Sequence, residues 1–265
     1  MITSPGNVRI KSIVRMQQKA RARREADAFL AEGIKMFLEA PEDRIREVYL
    51  SESFSCSEEG KKRAVMEKLA ALSCETVSSE VFRKISDTCS PQGILCVVEA
   101  FHYTFPDLLK SKNPLLLILE DIQDPGNVGT MIRTGEGAGI DGVIFAGESA
   151  DIYNSKAVRA TMGSVYRVPF LYVEKAGDAI QKLQKNKIRV YAAHLKGEKE
   201  YDACDYRCGS AFLIGNEGNG LRAETAALAD MYMKIPMAGK VESLNAGAAA
   251  AILMYEAARQ RRKGI

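Results

Sequence analysis

The chain has 265 residues, of which 46% are hydrophobic and 27% charged, with a formal net charge of +3. That balance excludes bulk disorder, which needs low hydrophobicity and high net charge, and it excludes a fibrous chain. The length sits where single cores stop growing, so one large or two modest domains are expected. The most apolar run, residues 246–255, is shorter than the roughly 20 residues that span a bilayer, so no membrane segment is expected. The N-terminus has no apolar core of the signal-peptide kind, which predicts a cytoplasmic protein. Cysteines at 56, 74, 89, 96, 204 and 208 show no compact disulfide framework and are read as reduced thiols.

Residues 1–24 hold Arg9, Lys11, Arg15, Lys19, Arg21, Arg23 and Arg24 and no acid, so the remainder of the chain is net acidic. Such a stretch attracts phosphate backbones by counterion release. A solvated helix face accounts for the charge equally well. Ile10, Ile13, Val14 and Met16 interleave with these cations, and the segment reads as an amphipathic basic helix. Residues 25–40 read as a second helix stopped by Pro41, 46–50 as a strand, and 58–72 as a helix. That helix has Val65, Met66, Leu69 and Leu72 on its apolar stripe. Residues 78–85 form a shorter helix and 93–100 a buried strand. The proline-containing stretch 105–113 marks a boundary, giving domains 1–108 and 109–265. Beyond it, strands are expected at 115–120, 142–146, 188–193, 211–214 and 231–235, and helices at 128–138, 176–186, 219–229 and 243–262. Strands alternating with helices imply a mostly parallel sheet covered on both faces.

Three Gly- and Asn-rich segments follow strands: DPGNVGT at 124–130, GNEGNG at 215–220 and MAGKVESLN at 237–245. Ligands of open α/β sheets bind at the carboxyl ends of strands, where glycine lets backbone approach closely. Each loop alone is equally a strand-to-helix turn. None is a G-x-G-x-x-G dinucleotide fingerprint or a P-loop. His102 and His194 are the only histidines, and Cys204-x3-Cys208 has no partner pair, so a zinc site is not expected. Neither is a serine–histidine triad, in the absence of G-x-S-x-G.

Taken in order, three segments resemble the SpoU/TrmH family of RNA ribose 2′-O-methyltransferases, within the SPOUT superfamily. They are NPLLLILEDIQDPGNVGTMIRTGEGAGIDGVIFA at 113–146, FLIGNEGNGL at 212–221 and IPMAGKVESLNAGAAAAILMYEAARQ at 235–260. Residues 7–33, NVRIKSIVRMQQKARARREADAFLAEG, resemble the start of two-domain members acting on ribosomal RNA. The resemblance implies an α/β chain: an L30e-like RNA substrate-binding domain, then a parallel-sheet catalytic domain with a C-terminal trefoil knot. It implies S-adenosyl-L-methionine as cofactor, a homodimer packed through the last helix, and no metal. Cofactor contacts map onto His194, Leu195, Gly215, Asn216, Gly218, Ile235, Met237, Ser243 and Leu244. Catalytic positions map onto Asn127, Arg133, Glu217, Ser243 and Asn245. RNA contacts are expected from the seven N-terminal cations and from Arg133. A guanidinium stays charged, so Arg133 suits a hold on RNA phosphate better than proton removal. Glu217 either orients Arg133 or anchors its own loop. Asn127, Ser243 and Asn245 suit capping as well as chemistry. Gly135, Gly137, Ala246 and Gly247 depart from the commoner family residues but leave the polar positions intact. The readings are a ribosomal RNA enzyme first, then a transfer RNA enzyme, a non-catalytic RNA-binding protein of this fold, or an unrelated α/β enzyme with a nucleotide cofactor.

Overall fold

The computed structural model describes residues 1–59 and 61–263. Two compact units divide the chain. One is Met1–Phe101 with Asp151–Tyr166, the other His102–Ala150 with Arg167–Ile265.

The first unit opens with α1 (Val8–Gln18), capped by the Asn7 side chain, and α2 (Ala20–Ala26). Extended backbone at Lys19, φ −127°, separates them. The expected helix over 25–40 does not form. Left-handed Asp27, φ 48°, ends α2, and Gly33, φ 104°, interrupts again. Between them runs strand β1 (Ala28–Glu32), and α3 (Ile34–Glu39) follows. Ala, Leu and Glu favour helix locally, but these two breaks leave room only for a strand and a short helix. Then come β2 (Ile45–Ser51), α4 (Glu52–Cys56), α5 (Arg63–Ala70), β3 (Cys74–Val77), α6 (Ser79–Ile85) and β4 (Ile94–Glu99). The helix expected over 58–72 crosses residue 60, outside the described residues. Its stripe is also different: Met66 is exposed and Lys68 is buried in its place. The Lys68 ammonium donates to the carbonyls of Leu38 and Ala40 and lies over the Phe37 ring. That arrangement closes the end of α3.

The four strands pair in the order β1-β4-β2-β3, antiparallel except for β2 with β3. α1 and α6 share one core with this sheet, built on Ile10, Ile13, Met16, Val81, Phe82, Ile85, Tyr49 and Leu95. The segment 151–166 groups here rather than with the C-terminal domain where sequence placed it. It carries α8 (Ser155–Thr161). Tyr153 stacks on Phe29 at 4.4 Å, Asp151 pairs with Arg23, and the Tyr166 hydroxyl donates to the Met36 carbonyl. Aromatic area and a buried ion pair decide its place, and chain order does not predict either.

The second unit holds β5 (Leu115–Glu120), α7 (Pro125–Ala138), β6 (Gly142–Ala146), β7 (Phe170–Val173), α9 (Ala176–Lys185), β8 (Arg189–Ala193), β9 (Lys199–Glu200), β10 (Ser210–Ile214), α10 (Ala223–Ala226), β11 (Met231–Lys234) and α11 (Ala246–Lys263). Its sheet runs β7-β6-β5-β10-β8-β11-β9, every pair parallel. β5 is buried along its whole length, as an unbroken aliphatic run in a central parallel strand must be. Leu116 and Ile118 join the α9 side of the core with Ile144, Val190 and Leu213. The alternate positions turn to the other face, where α11 packs on α7 and β10. Each such leucine buried contributes roughly 1.5–3 kcal/mol. The helix expected over 219–229 shortens to the single turn of α10, because 215–220 is occupied by a tight loop. Cys74, Cys89, Cys96, Cys204 and Cys208 are free thiols, and the Cys56 side chain lies outside the described residues.

Candidate active site

Neighbouring strands β5, β10, β8 and β11 all point their carboxyl ends the same way, so their loops gather at one edge. There the loops after β8, β10 and β11 line a cleft of about 780 Å³. His194 and Leu195 enter it from the end of β8, and Gly215, Asn216, Glu217 and Gly218 from the end of β10. Ile235 and Met237 follow β11, and Ser243 and Leu244 precede α11. The nine positions expected to touch cofactor thus share one cleft.

Each wall has a local cause. The His194 backbone N–H donates to the Met233 carbonyl at 2.9 Å, while its ring accepts from the Lys196 N–H at 3.1 Å and stacks on Tyr232. Gly215 must be glycine, since a Cβ there would overlap the backbone of Gly220 and Leu221. Asn216 spends its side chain on the loop itself. Its amide donates to the Asp121 carbonyl at 2.8 Å, and its oxygen accepts from the N–H groups of Gly218 and Asn219. Residues 236–244 make no hydrogen bond with the other described residues, so this wall offers its backbone polar groups to a ligand. Leu195 is 67% exposed on the rim, an apolar surface with nothing against it.

The polar residues of all three loops meet at Glu217. Its carboxylate accepts from the N–H groups of Gln123 and Asp124, each at 3.2 Å, and from the Asn127 amide at 2.9 Å. Asn127 in turn accepts from the Asn245 amide at 3.0 Å. Burial pushes the Glu217 carboxyl up, but the Asn127 amide and the backbone N–H groups together hold it below its ordinary value. Glu217 therefore anchors its loop to the start of α7 and does not touch Arg133. Asp124, not Asn127, caps α7, and Asn245 caps α11 by accepting from Gly247 and Ala248. Ser243 is exposed on the cleft wall. Arg133 stands on α7, exposed and without a hydrogen bond or ion pair among the described residues. It lies outside the cleft lining.

The N-terminal cations separate into three groups. Arg23 is 5% exposed, with its guanidinium on Asp151 and on the Met16 carbonyl. That removes it from the expected RNA-facing set, because the group is buried and each of its nitrogens already has a partner within the unit. Arg9 pairs with Glu75, and Arg15 and Arg21 share Glu25, all near the surface. Lys11, Lys19 and Arg24 are exposed and unpaired among the described residues. No group of three or more metal-binding side chains occurs among the described residues, and none of their helices is long and apolar enough to cross a membrane.

Glu120, Asp121 and Arg222 were missed from the sequence. Glu120 is buried at the end of β5, where it accepts from the Arg222 N–H and the Thr225 hydroxyl. Two acids ending an otherwise aliphatic strand were the available signal. Asp121 is set apart further by its left-handed backbone, φ 54°, which sequence does not show.

Residues 114–255 match the SpoU rRNA Methylase family, and residues 7–96 match the MRM3-like substrate binding domain. The chain is 28% identical over 256 residues to the 23S rRNA (guanosine(2553)-2′-O)-methyltransferase RlmP of Bacillus subtilis, covering 96% of this chain and 97% of that one. It is 31% identical to the 23S rRNA (guanosine-2′-O-)-methyltransferase RlmB of Neisseria meningitidis, over 82% of this chain and 88% of that one. The crystal structure of the SpoU methyltransferase AviRb from Streptomyces viridochromogenes with AdoMet superposes with a TM-score of 0.86 at 26% identity, covering 98% of this chain and 100% of that one.

Proposed function

Because the chain belongs to the SpoU rRNA methylase family, we propose that it transfers the methyl group of S-adenosylmethionine to a ribose 2′-hydroxyl of ribosomal RNA. The observation that carries this is the meeting of the three loops through Glu217, Asn127 and Asn245 beside a cleft of about 780 Å³.

The residues present fit such a cofactor. Leu195, Ile235, Met237 and Leu244 offer aliphatic surface for a purine ring, and the unbonded backbone of 236–244 offers donors and acceptors for its edge. Gly215 lets the loop backbone come close. The bound cofactor supplies a methyl already activated on a sulfonium, so the protein has only to align an acceptor and ease loss of its proton. Alignment is worth roughly 7–11 kcal/mol in the best cases. Arg133, with no hydrogen bond or ion pair among the described residues, is placed to hold an RNA phosphate bidentately and so bring the neighbouring ribose to the cleft. Glu217, Asn127 and Asn245 keep the first turn of α7 at a fixed place beside the cofactor wall. Lys11, Lys19 and Arg24 extend the phosphate contacts on the first unit.

The reading includes the trefoil knot of the family, a cytoplasmic location with its RNA, and a homodimer. Half-exposed Tyr255 on α11 suits a surface covered by a second copy. The test is transfer of label from S-adenosylmethionine to unmodified ribosomal and transfer RNA, followed by digestion to nucleosides. A labelled 2′-O-methyl nucleoside from ribosomal RNA is expected. Label in transfer RNA alone overturns the substrate, and cofactor binding without transfer to either overturns the enzyme.

A further inference from the structure

Apart from the bonds among Glu217, Asn127 and Asn245, a second set joins the loops after β5, β6 and β10, and it converges on Asp121. This residue follows β5 with a left-handed backbone, φ 54°, a region few residues other than glycine adopt and which aspartate tolerates better than most. Its main-chain carbonyl accepts the Asn216 amide from the cofactor loop at 2.8 Å. One carboxylate oxygen accepts the Glu148 N–H at 2.8 Å. The other accepts Arg222 Nε at 2.9 Å, and the Arg222 Nη2 lies 2.6 Å away. The loops after β5, β6 and β10 are therefore held by one residue. The chain also gives up a side chain to make room for it, since Gly147 has φ 63° and a Cβ there would overlap the Asp121 carboxylate. The Asp121 side chain is only 16% exposed, and its partner Arg222 is further fixed through its own N–H on Glu120.

We propose that Asp121 is a positioning residue for methyl transfer, which fixes the acceptor-side loop, 121–127, against the cofactor-side loop, 215–222. It touches neither reactant. It acts through Asn216 on one side and through the start of α7, hence Asn127 and Arg133, on the other. Placement errors of about 1 Å at a reacting centre can cost on the order of a hundredfold in rate, so a residue tying three loops has leverage on kcat out of proportion to its share of binding. The inference rests on the methyltransferase reading above.

The test compares Asp121→Asn, Gly147→Ala and Arg222→Gln with the unmodified full-length chain. The readouts are cofactor Kd by calorimetry, kcat and KM with ribosomal RNA, and amide hydrogen exchange at 123–127 and 216–220. All three variants are expected to lower kcat by about tenfold to a hundredfold, to leave cofactor Kd within about threefold, and to speed exchange in both loops. The pairing of Asp121→Asn with Arg222→Gln is expected to cost no more than the worse single change, because both remove one contact. Unchanged kcat in an active background, or loss of cofactor affinity in step with kcat, overturns the proposal; the second outcome marks a merely structural role. Should the unmodified chain transfer no methyl, the enzymatic reading falls by itself, and exchange unchanged by Asp121→Asn then overturns the coupling of the two loops independently.

Discussion

In the first unit, Arg23 of α2 is buried, with its guanidinium on Asp151 and on the Met16 carbonyl of α1. In the second, Arg133 has the same chemistry and the opposite surroundings: an exposed helix face and no partner among the described residues. The same contrast runs through both units. Lys68 closes α3 and Glu32 accepts from Ser86 and Thr88, so these charges serve the packing around them. At the carboxyl edge of the parallel sheet, Glu217, Asn127 and Asn245 bond to one another across three loops, beside an apolar cleft whose far wall has its backbone groups unbonded. A charge buried with all its donors used marks architecture, whereas convergent polar groups with capacity left over mark a place for a ligand.

That contrast can be broken experimentally. The largest effect is expected from Arg133→Ala, a loss of methyl transfer on the order of a hundredfold to a thousandfold, with melting temperature and cofactor Kd unchanged. A fall in stability instead would give Arg133 an architectural role. Arg23→Ala is expected to do the reverse. Removing one member of a buried pair typically costs about 3 kcal/mol, read as a lower denaturant midpoint, and any activity lost returns under stabilising conditions. Between the two groups, Lys11→Ala, Lys19→Ala and Arg24→Ala combined should weaken RNA binding without altering the fold. The slope of log K against log salt should then fall by about 2–3, since each phosphate contact contributes roughly 0.7–0.9. The smallest effect belongs to Glu217→Gln. The Glu217 carboxyl is held below its ordinary value in the folded chain, so its stabilisation is complete above the unfolded value and is lost as pH falls through the lower, folded one. Acid titration of hydrogen exchange at Gln123 and Asp124 should show that loss in the native chain and a flat response in the variant.

The parallel sheet was legible because β5, β6, β8 and β10 are short, largely apolar runs closed by polar turns, a pattern few alternatives share. The cleft was legible only through three loops read together, because each alone is an ordinary turn. Residues 28–32 were not, since AFLAE is as good a helix as a strand until Asp27 and Gly33 are seen to break the backbone on either side. Arg23 was read as one cation among seven because its sealing partner, Asp151, lies far along the chain. Asp121 escaped for a related reason: a carboxylate's worth here comes from three loops that sequence separates and the sheet brings together.

The segment 151–166 has a consequence for how the chain comes into being. The first unit lacks Tyr153 on Phe29 and Asp151 on Arg23 until the ribosome has made β5, α7 and β6 of the other unit. At roughly 5–20 residues per second, the N-terminal half waits several seconds with an aromatic face uncovered and a buried arginine unmatched. The order of synthesis is therefore not the order of completion. A chain truncated at residue 108 would leave the earlier-born unit permanently unfinished, in a form that invites chaperones or neighbouring chains to supply what is missing.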